Sequence, residues 1–168
     1  MINKIGKSFL TMFGIGYFPK FPGTIASLTT CLIFYILWFF FGIKNIIIPS
    51  IFFLILIFFF SIFLINKIYK DKDSEEIVID ELIGQFIPLL AWYNSEINAS
   101  KLFVMFGLEL YAIETWIILS FILFRIFDIL KPYPINLIDK NIKNGFGVIF
   151  DDVVAGVFAT IVLYIIFV

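Results

Sequence analysis

The stretch IIIPSIFFLILIFFFSIFLIN, Ile46 to Asn66, carries no charge along its length and decides the fold. A transmembrane helix needs about 20 consecutive apolar residues, and this segment supplies them. Upstream, Leu28 to Ile43 is a second uncharged run, slightly short alone and extended by Thr24 to Ser27. Only Gly42-Ile43-Lys44-Asn45 separates the two, which predicts a tight helical hairpin. Pro49 is then expected in the first turn of the second helix, where its missing N–H does no harm. Downstream, a third helical segment is predicted from about Glu75 to Trp92, carrying Asp80 and Glu81 and too polar to face lipid all round. Leu102 to Phe127 contains Glu109, Glu114 and Arg125 and reads as an entry segment plus a buried helix, and Val153 to Val168 crosses once more. Met1 to Phe13 has lysines and apolar residues but no apolar core ending in a cleavage site, and reads as an amphipathic interfacial helix. The predicted fold is all-α: a polytopic integral membrane helical bundle with about four membrane-crossing helices plus the N-terminal amphipathic helix, one domain over residues 1–168.

Composition agrees. The chain is 62% hydrophobic and 20% aromatic, with a mean hydropathy of +1.08, against roughly 45 to 50% apolar residues in soluble domains. The net charge of -1 argues against nucleic-acid binding, which needs clustered Lys and Arg. Cys31 is the only cysteine and sits in an apolar run, so it forms no intramolecular disulfide and reads as a small core hydrophobe. Trp38, Trp92, Trp116 and Tyr111 read as bilayer packing and interface anchors.

Orientation follows from basic residues. With Met1 to Pro22 on the cytoplasmic side, Lys4, Lys7, Lys20, Lys67, Lys70, Lys72, Arg125, Lys131, Lys140 and Lys143 all fall inside, and only Lys44 and Lys101 fall outside. That split gathers four polar islands on the cytoplasmic face and assigns Glu109 and Glu114 to the other.

The first island runs from Gly14 to Ser27. Pro22-Gly23-Thr24 precedes an apolar helix, so Thr24 is the expected N-cap, the free N–H groups behind it form an anion site, and Lys20 adds charge for a phosphate. In the second, Asp73 or Ser74 is expected to cap the helix, and Glu75 and Glu76 to complement its positive end. Asp80 and Glu81 lie deeper, in the apolar sequence Ile77 to Ile83, with Gly84 one turn on to admit another backbone or a ligand. In the third, spacing of three places Arg125, Asp128 and Lys131 on one helical face before Pro132 stops the helix. That face suits either a salt-bridge ladder or a phosphate site. The fourth island pairs Asp151 with Asp152. One acid would suffice as a cap, and the second repels the first unless a cation or base lies between them. Ala155 and Gly156 form a small face for close helix packing. Asp139, in the polar connection Asn136 to Asn144, is a further candidate.

Ionised groups beside hydrocarbon cost on the order of 2.5 to 3.5 kcal/mol each on insertion scales, so five of them imply a task. Carboxylates with oxygen ligands and no histidine suit Mg²⁺, with the basic residues taking a phosphate. Asp80, Glu81, Asp128, Asp151 and Asp152 are the candidate metal ligands and general base, and Lys20, Thr24, Ser27, Arg125 and Lys131 the candidate phosphate-binding groups. The absence of His excludes a phosphohistidine intermediate, and no Cys stands at a Gly-rich phosphate loop. Asp71-Lys72-Asp73-Ser74-Glu75 lacks the Thr or Val that a phosphoaspartate motif of the haloacid-dehalogenase kind requires. A small cation transporter or channel subunit, and a lipid phosphotransferase using the same metal site, remain as alternatives.

Taken in series, the islands resemble the phosphatidylglycerophosphatase A family. The resemblance is carried by Gly14-x-Gly16 with Pro19-Lys20, Pro22-Gly23-Thr24 and Ser27; by Glu76-Ile77-Val78-Ile79-Asp80-Glu81 with Gly84; by Phe124-Arg125, Phe127-Asp128, Lys131-Pro132 and Pro134; by Asp139; and by Gly145, Gly147, Asp151-Asp152 and Ala155-Gly156. Phe21 stands where the family usually has Ala, and Ala26 where it usually has Gly. The resemblance implies hydrolysis of the terminal phosphate of phosphatidylglycerophosphate to phosphatidylglycerol, a phospholipid substrate within the membrane, Mg²⁺ dependence, and a multi-pass protein of the bacterial inner (cytoplasmic) membrane with its site on the cytoplasmic face.

Overall fold

The computed structural model describes residues 2–69, 74–94 and 112–167, and every regular element among them is helical. Helix α1 (Ile2–Leu10) buries Leu10 and Phe9 against Leu64, Ile65 and Ile68. A 3-10 stretch, Met12–Tyr17, leads into α2 (Pro22–Phe41) and α3 (Ile43–Ile68), and Gly42 alone turns the chain between them with φ 73°. That left-handed value suits a residue without Cβ. Because α3 starts at Ile43, Pro49 lies inside the helix and not in its first turn, where it removes one backbone hydrogen bond. Then come α4 (Ile79–Leu90) with a 3-10 extension Ala91–Asn94, α5 (Ala112–Leu130), α6 (Ile135–Asn141) and α7 (Gly145–Phe167).

Three of these, α2, α3 and α7, are long and apolar enough to cross a membrane. Their outward faces show why: α3 presents Phe52, Phe53, Phe59 and Phe60 to the surroundings. Helix α5 occupies the described part of the segment expected to supply another crossing. It has 19 residues but carries Glu114, Arg125 and Asp128, and it packs against α7, α4 and α2. Glu109, Tyr111 and Lys101 lie outside the described residues.

Helices α4 and α7 form the closest interface, and glycine makes it possible. The carbonyl oxygen of Gly84 occupies the space a side chain at Gly156 would need, and a Cβ on Gly84 would meet the Asp152 carbonyl oxygen at 2.6 Å. Both helices run in the same direction from this crossing, so the residues four positions earlier, Asp80 and Asp152, stand one turn above it on adjoining faces.

The start of α7 differs from expectation. It begins at Gly145, because Asn144 Oδ1 accepts the N–H groups of Phe146 (3.0 Å) and Gly147 (3.1 Å), while Asn66 Oδ1 accepts that of Gly145 (3.0 Å). Asp151 and Asp152 therefore lie well inside the helix, which removes capping as their explanation. Replacing the cap, Asn144→Ala, is expected to cost about 1 kcal/mol and lower the thermal midpoint by about 2–4 °C in a detergent melt. Trp116 is also corrected: it is fully buried, donates Nε1–H to the Pro88 carbonyl (2.8 Å), and packs against Trp92 and Tyr164 instead of sitting at an interface. Cys31 is buried in the cluster of Phe34, Ile46, Phe86 and Leu89, as its apolar setting predicts.

Candidate active site

At the end of the bundle where α2, α4 and α7 begin and α5 ends, a cavity of about 440 Å³ opens. All five predicted carboxylates, Asp80, Glu81, Asp128, Asp151 and Asp152, line it. The helix starts explain how each arrives there.

Helix α2 starts one turn earlier than its sequence suggests. Phe21, at φ 56°, precedes the first helical residue Pro22, and Ile25 N–H already donates to the Phe21 carbonyl (3.2 Å). Thr24 thus sits within the first turn and is not the cap. Its N–H and that of Gly23 have no acceptor inside the helix, and both residues line the cavity. Gly23 leaves room for the site: a Cβ there would displace the Glu81 carboxylate and approach Arg125 Nη1 to 3.2 Å.

Helix α4 starts later than expected, at Ile79. Glu75 and Glu76 therefore lie in the preceding turn and do not complement the helix dipole. Glu76 pairs with Lys7 (3.0 Å), and Glu75 lines the cavity. Asp80 and Glu81 now occupy the first turn, where the free N–H groups favour negative charge. Asp71 and Asp73 lie outside the described residues.

Charges in the cavity are arranged in two bridges. Arg125 Nη1 lies 2.6 Å from Asp128 Oδ2 and 3.9 Å from Glu81 Oε1, and it donates to Ser27 Oγ at 3.5 Å. Lys131 Nζ lies 2.7 Å from Asp139 Oδ1 and 2.6 Å from Asp151 Oδ2. The Arg125, Asp128 and Lys131 face is thus more than a ladder within one helix, because it reaches α4, α6 and α7. Asp80 and Asp152 have no basic group within 4.0 Å among the described residues. Together with Glu81 they place carboxylate oxygens within 4.8 Å of one another.

Such a group of like charges fits a hard divalent cation. Three oxygen donors converge from α4 and α7, and Glu81 Oε2 is buried with no hydrogen-bond partner among the described residues.

Of the predicted phosphate-binding residues, Arg125, Lys131 and Thr24 line the cavity. Ser27 is buried beneath it, donating to the Gly23 carbonyl (2.9 Å) and accepting from Arg125. Lys20 is exposed and does not line the cavity. Asp139 joins through Lys131. Lys143 also lines the cavity and was legible only as one more cytoplasmic lysine.

The Lys131–Asp139 bridge sets a pH expectation. Burial opposes both charges, but hydrogen bonding to Lys131 holds Asp139 below the usual carboxylate range, and Asp139 and Asp151 hold the Lys131 ammonium above its usual range. A depressed carboxylate stabilises fully above its unfolded pKa of about 3.9 and loses that contribution as pH falls through the folded value. A raised lysine stabilises fully below about 10.4 and loses it as pH rises through the folded value. The thermal midpoint of Asp139→Asn should therefore lie below that of the parent by a constant amount from about pH 5 to 9, and the gap should close toward pH 3.

Comparison with known proteins identifies the family of the chain. The phosphatidylglycerophosphatase A family matches residues 8–167. Phosphatidylglycerophosphatase A of Haemophilus influenzae is 35% identical over 90% of this chain and 82% of its own, and that of Escherichia coli is 30% identical over 92% and 78%. A Bacteroides thetaiotaomicron protein provisionally named phosphatidylinositol-3-phosphatase is 32% identical over 91% and 87%. No solved structure matches the chain. A family match over nearly the whole length, together with relatives of 30% identity or more covered over most of their length, leads to one conclusion: the chain belongs to the phosphatidylglycerophosphatase A family of membrane lipid phosphatases.

Proposed function

We propose that this protein hydrolyses the terminal phosphate monoester of phosphatidylglycerophosphate in a Mg²⁺-dependent reaction, giving phosphatidylglycerol and inorganic phosphate, at the cytoplasmic face of a bacterial inner membrane. The observation that carries the proposal is the convergence of five carboxylates and Arg125 on one cavity at the ends of apolar helices. A lipid whose acyl chains stay in the bilayer presents its headgroup at that depth.

Arg125 and the first-turn N–H groups of Gly23 and Thr24 take the phosphoryl oxygens, two donor types that suit a dianion. Lys131 holds Asp151 in place and offsets part of the acidic charge. A carboxylate of the cluster accepts one proton of the attacking water as the water oxygen bonds to phosphorus, the bond from phosphorus to the glycerol oxygen breaks, and that carboxylate passes the proton on to the leaving glycerol oxygen. Asp80, Glu81 and Asp152 would hold Mg²⁺, with Asp128 and Asp151 beside them. When bound, the ion supplies charge neutralisation at the phosphoryl group and a water of lowered pKa. The transporter alternative leaves Arg125 and the α2 start without a role.

The test is phosphate release by the purified protein in detergent from phosphatidylglycerophosphate, phosphatidic acid and phosphatidylinositol 3-phosphate, with Mg²⁺ and with chelator. Release is expected to be fastest from phosphatidylglycerophosphate and lost on chelation. Preference for another lipid overturns the substrate, and unchanged release in chelator overturns the metal.

A further inference from the structure

Gln85 is completely buried, and neither its Oε1 nor its Nε2 has a hydrogen-bond partner among the described residues. An uncompensated amide in a low-dielectric interior is costly, so its retention calls for a reason. Among the other buried atoms without partners in the described residues are two from the cavity lining, Glu81 Oε2 and Arg125 Nε.

Gln85 follows Glu81 by four residues, which puts it on the same face of α4 one turn deeper. Side chains on a helix tilt toward its N-terminus, so the amide leans toward the Glu81 turn and the cavity above it. The neighbours of α4 bracket this face. Glu81 meets Gly23 of α2 and Arg125 of α5, Gly84 meets Phe124 of α5, and Phe86 packs on Phe34 of α2. Gln85 therefore faces the junction of α2, α4 and α5, beneath the Glu81–Arg125 pair. The unsatisfied atoms are complementary in kind, an amide donor and acceptor on Gln85 against a carboxylate oxygen on Glu81 and an N–H on Arg125, and none of them bonds to another in the structure.

We infer that Gln85 is a positioning residue that hydrogen-bonds the Glu81 carboxylate and the Arg125 guanidinium from below when Glu81 turns to a divalent cation and Arg125 to phosphate. The inference rests on the phosphatase reading above. A residue serving only to pack would be better replaced by an apolar side chain of equal length, and the two roles predict opposite results.

The experiment uses the full chain in detergent with Gln85→Met and Gln85→Glu. Gln85→Met keeps length and removes both polar atoms. Its thermal midpoint should stay level or rise, because an unsatisfied amide leaves the core. Its kcat/KM for phosphate release should fall about 10- to 100-fold, and Mn²⁺ binding without lipid, read by electron paramagnetic resonance, should weaken by a similar factor. Gln85→Glu keeps acceptors but loses the donor to Glu81, and should lose Mn²⁺ affinity and activity in the same direction. Parental activity and Mn²⁺ affinity in Gln85→Met overturn the inference. So does a loss of activity that tracks a falling thermal midpoint while Mn²⁺ affinity is unchanged. If the parent releases phosphate from no lipid, the phosphatase reading fails, and the Mn²⁺ measurement alone decides Gln85.

Discussion

Asp152→Asn is expected to lower phosphate release from phosphatidylglycerophosphate by about 10²–10⁴-fold, the range for removing a positioned acid–base group, with little change in the amount of folded protein. Asp152 is buried, lies two turns inside α7, and shares its oxygens' neighbourhood with Asp80 and Glu81. Asparagine keeps the shape but loses the charge, so the divalent cation that the three carboxylates would hold would be left with two of them. The fold should tolerate this well, since like charges are mutually repulsive and removing one relieves the others. Activity and thermal midpoint measured on the same preparation separate the effects. Normal release by Asp152→Asn would remove the carboxylate cluster from the chemistry altogether.

Gly156→Ala is the second large effect, and it should look different. The Cβ it adds collides with the backbone carbonyl of Gly84, and a carbonyl inside a helix cannot swing aside as a side chain would. Overpacking of this kind costs typically about 1–3 kcal/mol. Here it also separates α4 from α7, and Asp80 from Asp152 one turn above. Small displacements of reacting groups are expensive in rate, with about 10²-fold lost per 1 Å. Both the thermal midpoint and phosphate release should therefore fall in Gly156→Ala, whereas Asp152→Asn loses release alone. A Gly156→Ala protein with parental stability and activity would show that the α4–α7 crossing does not set the spacing of the site.

Much of this site was legible from residue type and spacing. Asp80, Glu81, Asp128, Asp151 and Asp152 are conspicuous because charge is costly beside hydrocarbon, and Gly84 and Gly156 because glycine inside an apolar helix invites close approach. The errors lay at helix ends. Ser74 and Thr24 look like caps, but α4 starts at Ile79 behind Val78, and α2 starts at Pro22 behind a left-handed Phe21. The true cap of α7, Asn144, was hidden in a polar connection. Lys20 looked like a phosphate ligand through its place in the motif, but it is exposed outside the cavity. Gln85 was missed because a single amide in an apolar helix has no signature until its burial and lack of partners are seen.

What the amino-acid sequence determined alone was the class of the molecule and the cast of its site: helices, because bilayer-spanning apolar runs allow little else, and acids with basic companions, because nothing apolar replaces them. Tertiary structure decided which charge meets which. Arg125 bridges Asp128 and Glu81, and Lys131 bridges Asp139 and Asp151, pairings between elements up to 44 positions apart in the chain for Glu81 and Arg125. Periodicity fixes only neighbours along one helix. The partners across helices are fixed by where backbones can touch, and here that is the glycine crossing of α4 and α7, which sets Asp80 against Asp152.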